Sequence, residues 1–153
     1  MRLSPSRVWA QGLGIGSLWL LASCSQSAPP PARQVTIHQN WALQPGSEIA
    51  GYRISGSLGD ISIELNGKAA HAPFDGKVQP SAANCVMFSS PEVPAYLFRL
   101  CGLKNARLGD IKAGNQVGTG ETLQFAALRK QPDGSWALVE PAIDVLERTV
   151  SSP

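Results

Sequence analysis

Residues 60–78 read DISIELNGKAAHAPFDGKV, and this stretch alternates short strand patterns with turn signals. Apolar and polar side chains alternate over residues 61–65, which predicts a half-buried strand. Asn66-Gly67 follows that strand as a strong turn signal, and Asp75-Gly76 is a second one. The segment therefore predicts antiparallel β-structure.

The same pattern continues toward the C-terminus. Further strands are expected at residues 86–88, 96–100, 123–128 and 136–139. Turns are expected in the proline-rich stretch 89–94, at Pro132-Asp133-Gly134 and around Gly109, Gly114, Gly118 and Gly120. Many short strands without crossover helices predict an all-β fold, a compact antiparallel β-sandwich or barrel-sandwich hybrid. One short helix is expected at residues 142–149.

Length and charge restrict the function. A chain of 153 residues fits one domain. It carries 13 Lys and Arg against 11 Asp and Glu, and it becomes neutral once Arg2 and Arg7 of the predicted signal are removed. A neutral domain has no long-range attraction for phosphate backbones, so no nucleic-acid partner is expected.

The N-terminus has the pattern of an export signal. Two arginines precede an uncharged apolar stretch that is too short and glycine-rich for a membrane span. Leu21-Ala22-Ser23-Cys24 resembles the lipobox of bacterial lipoproteins, which implies a membrane anchor of acyl chains on Cys24. Ser25 resembles the residue that sends such proteins to the outer membrane of Gram-negative bacteria. The alternatives are an ordinary cleaved signal with a chance cysteine and an uncleaved anchor helix.

These patterns divide the chain into four parts. Residues 1–23 are the predicted signal peptide, and residues 24–34 are the lipidated cysteine with a Ser/Ala/Pro-rich tether. Residues 35–146 form the predicted β domain, and residues 147–153 form a C-terminal tail.

Cys85 and Cys101 lie symmetrically about residue 93. A hairpin that turns there sets the two cysteines opposite each other, close to the reach of a disulfide. Export to an oxidising compartment would permit the bond. Two buried free thiols are the alternative. A redox site is disfavoured because there is no CxxC motif, and a zinc site because only His38 and His71 could complete it.

The order of several motifs resembles that of the LytM/lysostaphin-type zinc metallo-endopeptidases. The family's first segment is matched by Asp60-Ile61, Gly67, Ala72-Pro73, Asp75-Gly76 and Val78. Its Tyr-x-His-Leu strand, Gly-rich segment and closing His-Leu-His-Phe strand are matched by residues 96–100, 108–118 and 120–129. The resemblance covers most of the predicted domain and implies a LytM-like fold with a substrate groove.

The residues that would bind zinc in this family are mostly missing. The family's histidines correspond to Gly56, Arg99, Thr122 and Gln124, and only Asp60 remains of the ligand set. A catalytic zinc needs three protein ligands and an open position. A lone carboxylate beside an amide and a guanidinium cannot hold the ion. The sequence therefore predicts no metal, no cofactor and no catalytic residues, and it leaves Asp60, Arg99, Thr122 and Gln124 as a vestigial groove.

Several residues have two interpretations. Asp60 is either a turn residue or a ligand remnant, and the two histidines are either ordinary strand residues or displaced zinc ligands. The aromatic side chains of Trp41, Tyr52, Phe98 and Trp136 could line a groove. Strand alternation instead favours Phe98 and Trp136 as core residues.

The combined prediction is a non-catalytic LytM-like lipoprotein of the bacterial cell envelope. It would sit on the periplasmic face of the outer membrane and bind peptidoglycan or regulate a cell-wall hydrolase. One alternative is an active peptidoglycan metallo-endopeptidase that uses His71 with Asp60. The other is a purely structural module for envelope assembly.

Overall fold

The computed structural model describes residues 31–37 and 39–151. The chain divides into two units, Met1–Val35 and Thr36–Pro153, and every described strand and helix belongs to the second. The predicted signal peptide, Cys24 and His38 lie outside the described residues. No helix within the described ranges is long and apolar enough to cross a membrane.

The described residues form eleven strands and one helix, so the predicted mostly-β architecture is confirmed. The strands are β1 (Glu48–Ile49), β2 (Tyr52–Gly56), β3 (Ile61–Glu64), β4 (Ala69–His71), β5 (Gly76–Pro80), β6 (Cys85–Ser89), β7 (Tyr96–Cys101), β8 (Gly109–Ile111), β9 (Gln116–Thr119), β10 (Thr122–Lys130) and β11 (Trp136–Val139). The helix α1 spans Ile143–Val150.

The strands form one large and one small antiparallel sheet. The large sheet has the order β1-β2-β3-β10-β7-β6-β5-β8, and β11 pairs with the C-terminal part of β10. β4 and β9 form the small sheet. β10 is the longest strand and pairs with β3, β7 and β11, so it is the centre of the large sheet.

Strand alternation explains where the core lies. Ile61 and Ile63 of β3 and Phe125 of β10 are fully buried. Ser62, between the two isoleucines, and Gln124, next to Phe125, face away from the core. Phe98 of β7 lies among four other aromatic rings, with centroids 5.5–6.4 Å away. One apolar cluster thus covers the inner face of the large sheet.

Glycine is required at Gly67 and Gly76 for different reasons, and only Gly67 lies in a turn, since Gly76, which was expected in one, begins β5. Asn66 and Gly67 have φ angles of 52° and 80°, the left-handed conformation of a tight turn that leads from β3 in the large sheet to β4 in the small one. At Gly76, a Cβ atom would collide with the Ser89 carbonyl oxygen and lie 2.7 Å from the Phe88 ring. Gly76 therefore allows β5 to pack closely against β6.

The helix α1 extends further than the predicted domain boundary. Leu146, Thr149 and Val150 are fully buried, and the Thr149 hydroxyl donates a hydrogen bond of 2.8 Å to the Val145 carbonyl. The helix packs against β4 and β1 through this apolar side. The packed chain therefore continues to Val150, beyond the boundary expected at residue 146.

A disulfide bond joins Cys85 to Cys101, as the symmetric spacing predicted. The two residues are direct partners of β6 and β7, and their Cα atoms lie 4.1 Å apart. The hairpin turns around residue 93, so the predicted symmetry is confirmed and the free-thiol alternative does not apply.

The two aromatic residues expected in the core have different environments. Phe98 is buried, with only 4% of its surface exposed, but Trp136 is 38% exposed. The prediction was therefore correct for Phe98 and wrong for Trp136. β11 lies at an edge and pairs only with β10, and Trp136 is on its more exposed side.

Candidate functional site

The four predicted groove residues lie on the same side of the large sheet. Gln124 of β10 pairs in register with Ser62 of β3 on one side and with Cys101 of β7 on the other. Thr122 is two positions before Gln124 on β10, and Arg99 is two positions before Cys101 on β7. Residues two apart on a strand point to the same face of the sheet. Asp60 is likewise two positions before Ser62. We call this side, which carries Asp60, Arg99, Thr122 and Gln124, the outer face.

Asp60 and Arg99 form a loose ion pair on the outer face. Their closest atoms, Asp60 Oδ2 and Arg99 Nη2, are 4.0 Å apart, and the two side chains are 23% and 41% exposed. The Ser62 hydroxyl donates a hydrogen bond of 3.2 Å to Asp60 Oδ1, which fixes the carboxylate from the other side. The central position of β10 is what brings these two distant residues together.

Arg99 has hydrogen-bonding capacity that the protein does not use. Its Nε atom is buried and has no hydrogen-bond partner among the described residues. A buried donor without a partner costs free energy, and a guanidinium can bind a carboxylate through two parallel hydrogen bonds. Met87 and Ala126, the strand neighbours of Arg99, offer no side-chain acceptor oxygen. The terminal nitrogens of Arg99, whose side chain is 41% exposed, can therefore donate hydrogen bonds to an anionic group of a ligand.

An apolar strip runs beside this ion pair. Leu97, Leu128 and Leu138 are paired in register across β7, β10 and β11 on the outer face. Leu138 is 51% exposed, and Trp136, two residues away on the same side, is 38% exposed. The outer face thus combines a charged pair with exposed apolar surface, a combination suited to an extended ligand that carries both charged and apolar groups. The sequence analysis missed the strip, although Leu97 is two residues from Arg99 on β7 and Leu128 is four residues from Gln124 on β10, spacings that place them on the same face.

His71 does not complete a metal site within the described residues. His71 lies on β4 of the small sheet, where it pairs with Gln116, and its buried Nδ1 has no hydrogen-bond partner. Asp60 lies at the start of β3 in the large sheet. Across residues 31–37 and 39–151, no three His, Cys, Asp or Glu side chains come close enough together to hold a metal ion. The donors of the outer face, one carboxylate beside a guanidinium, do not fit a catalytic zinc.

A second charged pair lies where β5 begins. Asp75 accepts hydrogen bonds from Lys112 Nζ at 2.7 Å and from the Ala113 backbone N–H at 2.9 Å. These two hydrogen bonds, with the Lys112 ammonium contributing most, hold the pKa of the Asp75 carboxyl below its ordinary value. The same pairing raises the pKa of Lys112. Asp75 is therefore ionised, and its charge is balanced locally.

We expect the Asp75 carboxyl to titrate below its ordinary value of 3.8 in carbon-detected NMR. Lys112→Ala should move the midpoint upward, and Lys77→Ala, which removes a cation that does not contact Asp75, should leave it nearly unchanged. Because the folded pKa is depressed, the pair stabilises the fold above the unfolded pKa, and this contribution disappears as the pH falls through the folded pKa. An unchanged midpoint in Lys112→Ala would contradict the pairing.

The outer face is the candidate functional site of this protein. Its parts are an ion pair, a buried guanidinium nitrogen without a partner and an apolar strip. Neither the protein-family models nor the curated proteins with which the chain was compared gave a match.

Proposed function

We propose that this protein is a non-catalytic, LytM-like lipoprotein of the cell envelope whose outer face binds peptidoglycan peptides or a hydrolase that acts on them. The observation that carries the proposal is the Asp60–Arg99 pair. The first residue occupies the position of a zinc ligand in the resembled family, and the second that of a histidine. The 4.0 Å distance between their side chains supports that correspondence, because both positions would belong to one site.

The strand order also supports the LytM-like interpretation of the fold. In the resembled family, the motifs of three separate segments meet at one groove. Here the corresponding strands β3, β10 and β7 are adjacent, in that order. A large sheet with a small second sheet agrees with the barrel-sandwich hybrid that the resemblance implies.

The guanidinium of Arg99 supplies the positive charge that a metal would otherwise bring to this position. It partly neutralises Asp60, so the carboxylate needs no cation from solution. A fixed guanidinium cannot offer an open coordination position or lower the pKa of a bound water as zinc does. The pair therefore favours binding over hydrolysis.

Peptidoglycan peptides have the chemistry that the outer face could recognise. Their carboxylates can accept two hydrogen bonds from the terminal nitrogens of Arg99, whose side chain is 41% exposed. Their alkyl side chains could lie on the strip of Leu97, Leu128 and Leu138. An extended peptide on a flat sheet face would use both features together.

The proposed location follows from the N-terminal pattern. Acyl chains on Cys24 would anchor the protein, and the proline-rich residues 24–34 would hold the domain away from the lipid surface. The Cys85–Cys101 disulfide is consistent with an oxidising compartment. This agrees with a site in the envelope, on the periplasmic side of the outer membrane in a Gram-negative cell.

A sacculus pull-down tests the proposal. We expect the full chain to sediment with purified sacculi and Arg99→Ala to bind at least about tenfold more weakly, because a charge-assisted hydrogen bond contributes roughly 1.5–3 kcal/mol. Arg129→Ala is the matched control, since Arg129 is an exposed arginine on the opposite side of β10. A chelator should change neither result.

Three outcomes would contradict the proposal in different ways. Unchanged binding by Arg99→Ala would remove Arg99 from the binding face. Chelator-sensitive release of peptidoglycan fragments would indicate a metallo-endopeptidase. If the chain bound neither sacculi nor a purified wall hydrolase, the structural role in envelope assembly would be the better explanation.

A further inference from the structure

A cavity of about 750 Å³ opens where β5 and β8 pair at one end of the large sheet. Its lining is rich in hydrogen-bond donors, and we call it the basic pocket. The polar members that matter here are Lys77, Ser89, Arg107, Asp110, Lys112 and Asn115. The volume falls in the range of small-ligand sites.

The charges in the basic pocket do not balance. Lys112 is engaged by Asp75 at 2.7 Å, so this pair contributes no net charge. Lys77 and Arg107 remain, with Asp110 as the one further carboxylate of the lining. Neither cation forms an ion pair within 4.0 Å in the described part of the chain. The side chains that line the pocket therefore carry one surplus positive charge, and Glu92, which accepts a hydrogen bond of 3.1 Å from the Asp75 N–H, lies beside this lining.

The basic pocket is continuous with the outer face. Lys77 of β5 pairs in register with Ser89 of β6, and Ser89 pairs with Leu97 of β7. These residues form one row that ends in the apolar strip. Lys77 lies two strands from β7 and is in register with Leu97, two residues from Arg99, so the backbones of the two cations are about 12 Å apart at the usual strand spacing and rise.

We propose that the basic pocket is a second anion subsite, so that the ligand of the outer face carries at least two acidic groups. One group would bind Arg99, and the other would accept hydrogen bonds from Arg107 and Lys77, with the Asn115 amide and Ser89 hydroxyl as neutral donors. The recognised chemistry is an oxyanion, either a carboxylate or a phosphate. This inference rests on the proposed function, because it assumes that a ligand spans the outer face.

The pocket is tested first by itself. The full chain in a non-ionic detergent is titrated with citrate and, separately, with inorganic phosphate, and amide shifts are followed by NMR. We expect at least one probe to bind in the millimolar range and to shift the pocket residues. Binding should weaken at high salt because the pocket is exposed. The response to the two probes distinguishes a carboxylate from a phosphate preference.

The matched variants have the same net charge. Lys77→Ala/Arg107→Ala should weaken probe binding at least tenfold, whereas Arg129→Ala/Lys130→Ala, which removes two cations elsewhere, should not change it. Absence of binding by both probes, or equal weakening in both double variants, would overturn the subsite.

Sacculus binding then connects the pocket with the outer face. We expect Lys77→Ala/Arg107→Ala to reduce sacculus binding about as much as Arg99→Ala does. If Arg99→Ala weakens binding and the pocket variant does not, the subsite is refuted while the proposed function stands. If the unmodified chain binds neither sacculi nor a purified wall hydrolase, the proposed function fails, and the second subsite fails with it even when citrate binds.

Discussion

Phe125→Ala should lower the free energy of unfolding by about 3–5 kcal/mol. Phe125 is fully buried in the middle of β10, between Ile61 of β3 and Leu100 of β7. Its ring centroid lies 5.5 Å from that of Phe98. Removing the ring leaves a cavity at the position where three strands meet, and a well-packed sheet cannot close such a cavity fully. Urea unfolding followed by circular dichroism measures the change.

Two further variants control this prediction. Phe125→Leu keeps most of the apolar volume and should cost much less than the alanine variant. Leu138→Ala removes a large side chain from the neighbouring strand β11, but Leu138 is 51% exposed, so its effect should stay within about 0.5 kcal/mol. A loss below about 1 kcal/mol in Phe125→Ala would mean that β10 is not the centre of the core.

Loss of the Cys85–Cys101 disulfide is the second large effect. The cysteines are 16 residues apart, and closing a loop of this size restricts the unfolded chain enough to contribute about 3 kcal/mol. The double variant Cys85→Ala/Cys101→Ala should therefore unfold at a clearly lower urea concentration than the oxidised protein. Equilibrium unfolding with and without reductant measures the difference.

The reductant provides the internal control. It should destabilise the unmodified protein by a similar amount and leave the double variant unaffected. Equal stability of the oxidised and reduced unmodified protein would show that the bond does not stabilise the fold. A response of the double variant to reductant would point to chemistry at another residue.

Local sequence patterns predicted much of the β-structure. The alternation at residues 61–65 matches β3, and the Asn66-Gly67 turn has the positive φ angles that its residue types favour. Alternation depends only on neighbouring residues, so it can be recognised in the sequence without knowing which strands pair. Five strands were missed, namely β1, β2, β5, β8 and β9. Gly109 and Gly118 were expected in turns but lie in β8 and β9, because glycine marks a turn in the sequence even where the backbone is paired in a sheet.

Alternation alone did not reveal which side of a strand faces the core. It separates the side chains of β11 into two sets, and the sequence-based choice placed Trp136 inside. The pairing of β11 with β10 puts Trp136 on the exposed side instead. The same ambiguity concealed the strip of Leu97, Leu128 and Leu138, which becomes visible only when three strands are aligned.

The candidate site was predictable only in part. The resemblance named Asp60, Arg99, Thr122 and Gln124 because family motifs are conserved in order along the chain. The basic pocket had no comparable signal. Its Asp75–Lys112 pair joins residues 37 positions apart that belong to no shared motif.

The amino-acid sequence by itself determined the short strands, the glycine turns and the hairpin whose symmetry pairs Cys85 with Cys101, because each depends on residues close together in the chain. Only the tertiary structure decided that β10 lies between β3 and β7, and hence that Asp60 meets Arg99. That arrangement depends on burying Phe125 and its neighbours together, and such long-range packing is a property of the whole sheet and of no single segment.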